Sequence, residues 1–235
     1  MNDIKVNIFG TCRVSFLYRM YNASIINRDI SHTTTTKEML EVIKFCKYGH
    51  LTPEQTLYSF MWPIQDKKPR YFTEELKKDF ETSNVSFLEI SSKTVYQYND
   101  IYISRYIHYP DYNRDLKNIE KFVTKRMQEK DEIEQDIVNL IKELGNKIVI
   151  VSHMVTYERG ERYRLATWLE EICLKYNILF INPIREIKNR GHNLENCLEK
   201  GEPVVGHYSK DYGEKAIMNI YQTYMEKLFN DHIKT

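Results

Sequence analysis

A chain of 235 residues, 42% of them hydrophobic, can bury one sizeable core and fits a single α/β domain, 1–235, rather than two full ones. Its 34 basic and 33 acidic residues leave a formal charge of +1, so no overall field draws nucleic acid or an acidic membrane, and neither is expected as a partner. No run approaches the ~18 apolar residues of a membrane span, "MNDIKVNIFG" lacks the basic and apolar regions of a signal peptide, and four widely spaced cysteines form no CxxC pair or zinc-site spacing; the expectation is a cytoplasmic protein with free thiols and no metal.

Short β-rich apolar runs occur at Ile4 to Phe9, Ser24 to Asn27, Val85 to Ile90, Lys147 to Ser152 and Ile178 to Asn182, each of strand length. After the first run, "CRVSFLYRMYN" has helical spacing, with Val14, Leu17, Tyr18 and Tyr21 on one face. After the second, "TTTTKEMLEVIKFCK" reads as a Thr-capped helix burying Met39, Val42, Ile43 and Cys46. Residues 48–83 hold three of the six prolines and break the alternation, as an insertion of short helices and loops that caps the sheet would do. "KTVYQYNDIYISRYIHYPDYNRD" reads as an irregular Tyr-rich stretch, either lining a cleft or packed as an aromatic loop. "NRDLKNIEKFVTKRMQEKDEIEQDIVNLIKELG" reads as one long charged helix or two, capped by Gly145. "RYRLATWLEEICLKYN" and "SKDYGEKAIMNIYQTYMEKLF" supply two more helices. The alternation implies a three-layer α/β/α fold around a five-stranded parallel sheet.

In such a sheet, ligands bind beyond the carboxyl ends of the strands, where strand order reverses, and the loop after the first strand usually lies there. Gly10-Thr11-Cys12 is that loop. A helix beginning just beyond it would turn unpaired N–H groups and its positive dipole end toward Cys12, and Arg13 would add to the pull toward thiolate. Cys12 then reads as a nucleophile whose own N–H helps hold an oxyanion; the other reading is a small cysteine filling space under the helix.

The far end of the chain bears on that choice. "GHYSKDYGEKAIMNIY" places His207 in a loop before the last helix, with Gly213 allowing close packing. Phe9-Gly10-Thr11-Cys12 together with His207 resembles the SGNH/GDSL hydrolase superfamily, in which an "FGDS" loop carries a nucleophilic serine and a late Asp-x-x-His segment supplies the base. The resemblance puts Cys12 in the serine position and His207 in that of the base. "NRDISHTTTTKEML" resembles the second block, whose loop offers an N–H to the oxyanion, and "KIVIVSH" with "RYRLATWLEEICLKYNILFINPIREI" resembles the fourth strand, helix and fifth strand.

Departures from that pattern are specific. His32 stands where the second block has Gly, and "LEISSKT" replaces Gly-x-Asn-Asp, with Ser91 at the Gly position and Lys93 at the Asn position. Val204 occupies the place of the acid three residues before the base. A Cys–His pair depends less on an orienting acid than Ser–His does, and Glu202 or Asp211 are candidates for one. Lys93 is a candidate oxyanion or phosphate partner, or a solvated lysine; His32 is a candidate oxyanion donor, or a cap of the Thr-rich helix. His153 ends the fourth strand on the edge that carries Cys12, as a pocket-lining or a purely structural histidine.

What the resemblance implies is an acyl-transfer enzyme, an acyltransferase or esterase acting on a glycan or other small hydroxylated substrate through a Cys–His pair. Related cysteine-bearing proteins of capsular polysaccharide loci suggest a coenzyme A thioester as acyl donor; no cofactor is otherwise required. The alternative is a catalytically inactive module of the same fold that binds a phosphate- or carboxylate-bearing ligand at the first loop and helix. A glycosyltransferase reading lacks its Asp-x-Asp pair and GxGxxG fingerprint. Nothing in the sequence sets the oligomeric state.

Overall fold

The computed structural model describes residues 4–24, 30, 32–108, 117–145, 147–199 and 207–231. Five strands, β1 (Lys5–Phe9), β2 (Asn22–Ala23), β3 (Val85–Ile90), β7 (Ile148–Ser152) and β8 (Leu179–Ile181), form a parallel sheet in the order β2-β1-β3-β7-β8. This is the flavodoxin-like order, and it reverses between β1 and β3. The second strand lies at Asn22–Ala23, ahead of the expected 24–27, and residues 25–29 fall outside the described set.

Side chains on successive strand residues point to opposite faces, so this sheet needs cover on both. In β7, Ile148 and Ile150 enter one core while Val149 and Val151 enter the other. The first core is closed by α1 (Thr36–Tyr48), α6 (Lys130–Leu144) and α7 (Glu161–Lys175). The second is closed by α8 (Pro183–Asn189), α9 (Leu194–Cys197), α10 (Gly213–Asp231) and the 3-10 turn Ser15–Arg19. Helix α1 starts where the threonines announced it: the Thr35 hydroxyl accepts the Glu38 N–H and the Glu38 carboxylate reaches back, a capping box. Met39, Val42, Ile43 and Cys46 are all buried.

The segment 48–83 contains α2 (Pro53–Ser59), α3 (Met61–Asp66) and α4 (Glu74–Glu81), whose Phe60, Leu76 and Phe80 pack into the first core. Three expectations are corrected. The stretch after β1 is a five-residue 3-10 helix instead of an α-helix, and Phe16 is buried there whereas Tyr18 is 37% exposed. The Tyr-rich stretch contains a hairpin, β4 (Thr94–Tyr98) and β5 (Ile101–Ile103), turned at Asn99-Asp100 with Asn99 at φ +52°. The charged segment is no long helix: after the short α5 (Lys117–Glu120), β6 (Thr124–Met127) pairs antiparallel with β4 and completes a second, three-stranded sheet before α6 begins. Charged β6 is exposed along its length and carries no apolar alternation, so its pairing was invisible in the sequence.

Among the described residues, no helix is long and apolar enough to cross a membrane.

Candidate active site

The loop Gly10–Cys12 leaves β1 at the point where strand order reverses, and β3 runs beside it. Gly10 approaches β3 so closely that a Cβ on it would lie 2.6 Å from the Glu89 Cβ and 2.8 Å from Val14 Cγ2, and its φ is +154°. Only glycine fits that approach without displacing the loop. Glu89, 1% exposed in β3, then ties the loop down: its carboxylate accepts the Thr11 N–H at 2.8 Å and the Thr11 hydroxyl at 2.5 Å. The Arg13 Nε donates to the other oxygen at 3.1 Å, in an ion pair whose two side chains are 9% and 2% exposed. Burial pushes the Glu89 carboxyl up, but Arg13, nearby His153 and the Thr11 bonds outweigh it and hold the group below the usual carboxylate range. A buried carboxylate at the switch point was readable as the odd Glu inside the apolar strand "VSFLEI", and sequence reasoning passed over it.

Cys12 itself is exposed, whereas Cys46, Cys173 and Cys197 are free thiols buried in the cores. Its Sγ lies 3.1 Å from Nε2 of His207, which comes from the other end of the chain. The expected bias toward thiolate does not hold: partial burial pushes the Cys12 pKa up, against the pull of Arg13 and of the Cys12 and Arg13 N–H groups. A 3-10 turn beginning three residues later supplies little dipole, and Arg13 is already committed to Glu89. Reaction of the thiol at neutral pH would call for a base, and His207 Nε2 stands within reach of the sulfur.

His207 is held by backbone. Leu198 and Tyr208 form an antiparallel bridge, with Glu199 N–H donating to the His207 carbonyl at 2.9 Å and Ser209 N–H to the Cys197 carbonyl at 2.9 Å. Gly213 packs over the same Cys197 carbonyl, where a Cβ would come within 2.0 Å. The bridge sets Glu199 beside the ring, with Oε2 3.6 Å from His207 Nδ1. Thiol, imidazole and carboxylate thus line up as Cys12–His207–Glu199. Glu199 was not among the expected acids: Glu202 lies outside the described residues, and Asp211 sits exposed in the turn before α10. Spacing in the sequence carries no signal for it: the bridge between Leu198 and Tyr208 sets Glu199 opposite His207, eight positions further on.

Two further histidines stand behind the loop. His153 is 3% exposed; its Nδ1 donates to the Met154 carbonyl at 2.7 Å, which leaves Nε2 as an acceptor with no partner among the described residues. The His32 ring meets Tyr106 edge-on at 5.2 Å, and its Nδ1 is likewise buried and unpartnered. Burial lowers both pKa values to about 4, with Arg13 adding to the effect at His153 and Arg105 at His32. From the ordinary 6.5 down to about 4, an unfolded chain takes up protons that the folded one refuses. Stability accordingly rises with pH across that window and is lost on acidification through it. Urea unfolding at pH 4.5, 5.5 and 6.5 should show this slope, and a His153→Gln variant should flatten it.

The remaining expected residues gather elsewhere on the same rim. Ser91 and Ser92 follow β3 and both donate their N–H to the Thr34 carbonyl at 3.0 Å. Lys93 is buried, 2.7 Å from Glu161 and 4.8 Å above the Trp168 ring, and it lines a pocket on this rim.

A parallel α/β protein of flavodoxin-like order, with a thiol, an imidazole and a carboxylate aligned at its switch point, is the class that fold and geometry define. The chain belongs to the TviD N-terminal domain family, whose model matches residues 105–223; that span contains Glu199 and His207 and leaves out Cys12 and Glu89. Among solved structures, it is similar to a catalytic mutant of Axe2, an acetylxylan esterase from Geobacillus stearothermophilus, at 12% identity and a TM-score of 0.39, over 97% of this chain and 95% of that one. Comparison with curated proteins gives no match.

Proposed function

We propose that the chain is an acyl-transfer enzyme in which Cys12 is the nucleophile, His207 the proton shuttle and Glu199 the group that positions the imidazole. The observation that carries this reading is the 3.1 Å approach of an exposed thiol to an imidazole drawn from the opposite end of the chain, at the one edge of the sheet where ligands bind. A buried structural cysteine would need neither the exposure nor the partner.

In the first step Sγ attacks the acyl carbonyl while its proton passes to His207 Nε2. The tetrahedral oxyanion is faced by the N–H groups of Cys12 and Arg13, which already point toward the sulfur. Collapse breaks the bond to the leaving oxygen or sulfur, which departs with the proton from His207. In the second step a hydroxyl of a glycan or small alcohol gives its proton to His207 and attacks the Cys12 thioester; the acyl group leaves on that oxygen, and the proton returns to the thiol. Water in place of the alcohol gives hydrolysis.

The test is acyl trapping. Intact-protein mass spectrometry after brief exposure to an activated aryl acetate should show one acetyl group on the wild-type chain and none on Cys12→Ala. Equal labelling of the two proteins would overturn the assignment of the nucleophile.

A further inference from the structure

On the end of the sheet that carries Cys12, a cavity of about 510 Å³ opens between the loop after β3, the small antiparallel sheet and the start of α7. Lys93, Arg105, Lys125 and Arg162 line it, and Glu161 is the one carboxylate among its lining residues. That carboxylate is engaged by Lys93 at 2.7 Å and by Arg164 at 3.1 Å, so the wall is strongly cationic although the chain as a whole is nearly neutral.

Gathering like charges around a cavity costs free energy unless something anionic shares the space. Burial pushes the Arg162 pKa down and neighbouring Arg13 and Arg105 push it further, while Glu89 pulls the other way. Arg13 and Glu89 also anchor the Cys12 loop, so cavity and thiol share one electrostatic environment. Arg105 lies over the Tyr106 ring at 5.7 Å, and that ring meets His32 edge-on at 5.2 Å.

We propose that this cavity binds the multiply phosphorylated end of the acyl donor's carrier, leaving the acyl group to reach Cys12. The proposal rests on the acyl-transfer reading above. Charge count chooses phosphate over a sugar carboxylate: four cations against one carboxylate suit a ligand bearing several negative charges close together, whereas a single uronate brings one. The mix of groups agrees, since arginine forks grip phosphate oxygens in pairs and lysine serves as a point charge.

Coenzyme A, its 3′-dephosphorylated form and pantetheine, titrated by calorimetry into the wild-type chain, should bind in that order of affinity, about tenfold or more separating the first from the last. Lys125 is exposed on β6, so Lys125→Gln should fold as the wild type does, and with Arg105→Gln as a second variant it should cut the preference for coenzyme A over pantetheine by about tenfold. Raising the salt concentration should erode the same preference. Equal affinity for all three compounds, or an unchanged preference in both variants, would overturn the proposal. So would binding of an oligogalacturonate lost in the same variants without binding of coenzyme A, which would give the cavity to an acidic acceptor. Failure of the parent reading looks different: Lys125-dependent binding of coenzyme A with no acylation of Cys12 keeps the pocket and removes the enzyme, and acylation by an uncharged aryl ester without coenzyme A binding does the reverse.

Discussion

His207→Ala should lower turnover of an aryl acetate at pH 7 by about 10²- to 10⁴-fold, the range that a positioned acid–base group contributes. The size follows from the state of the thiol: burial pushes its pKa above the ordinary value, so in the proposed mechanism attack at neutral pH depends on the imidazole taking the proton. Residual activity of the variant should climb with pH, because hydroxide then does what the ring did. A variant with undiminished turnover, or a residual rate independent of pH between 7 and 9, would remove His207 from the mechanism. Glu199→Gln should cost only about tenfold, since a half-exposed carboxylate 3.6 Å from Nδ1 orients the ring loosely and the 3.1 Å contact to sulfur persists without it.

Glu89→Ala should destabilise the fold by about 3–5 kcal/mol, the cost of breaking a buried ion pair from one side. Three donors lose their acceptor at once: the Thr11 N–H, the Thr11 hydroxyl and the Arg13 guanidinium. Arg13 would then keep its buried charge without this carboxylate, beside His153 and Arg162, which lie in the same field. Urea unfolding of the variant measures the loss, and the double replacement Arg13→Met with Glu89→Leu should recover part of it, because an apolar pair does not strand a charge. The sign with pH is fixed too: the folded carboxyl titrates below its ordinary 4.5, so its contribution is complete above that value and vanishes as pH falls through the folded pKa. A loss under about 1 kcal/mol would mean that Arg13 finds another partner and that the ion pair does not anchor the loop.

The parallel sheet could be read from the chain because its strands are near-continuous apolar runs, and because the threonine cap and apolar spacing of α1 agree with each other. The second sheet could not, since β6 is charged and wholly exposed and only its partner β4 makes it a strand. At the site, Cys12 and His207 were legible as a pair from the first loop and the last segment, and the structure brings them into contact. The acid was expected at Glu202 or Asp211, and backbone pairing sets Glu199, eight positions before His207, beside the ring instead. Glu89 escaped notice for a different reason: its importance lies in what it holds, and only the register of β3 against β1 brings it to Thr11 and Arg13.

The bridge between Leu198 and Tyr208 bears on how such a site can change. Main-chain bonds do not depend on which side chains flank them, so His207 and Glu199 travel together as a unit, and in any chain with such a bridge the number of residues between the paired positions can change without parting the two. Proteins built this way could shift the interval between their last two working residues while keeping the chemistry, and a search that insists on one spacing would pass them by.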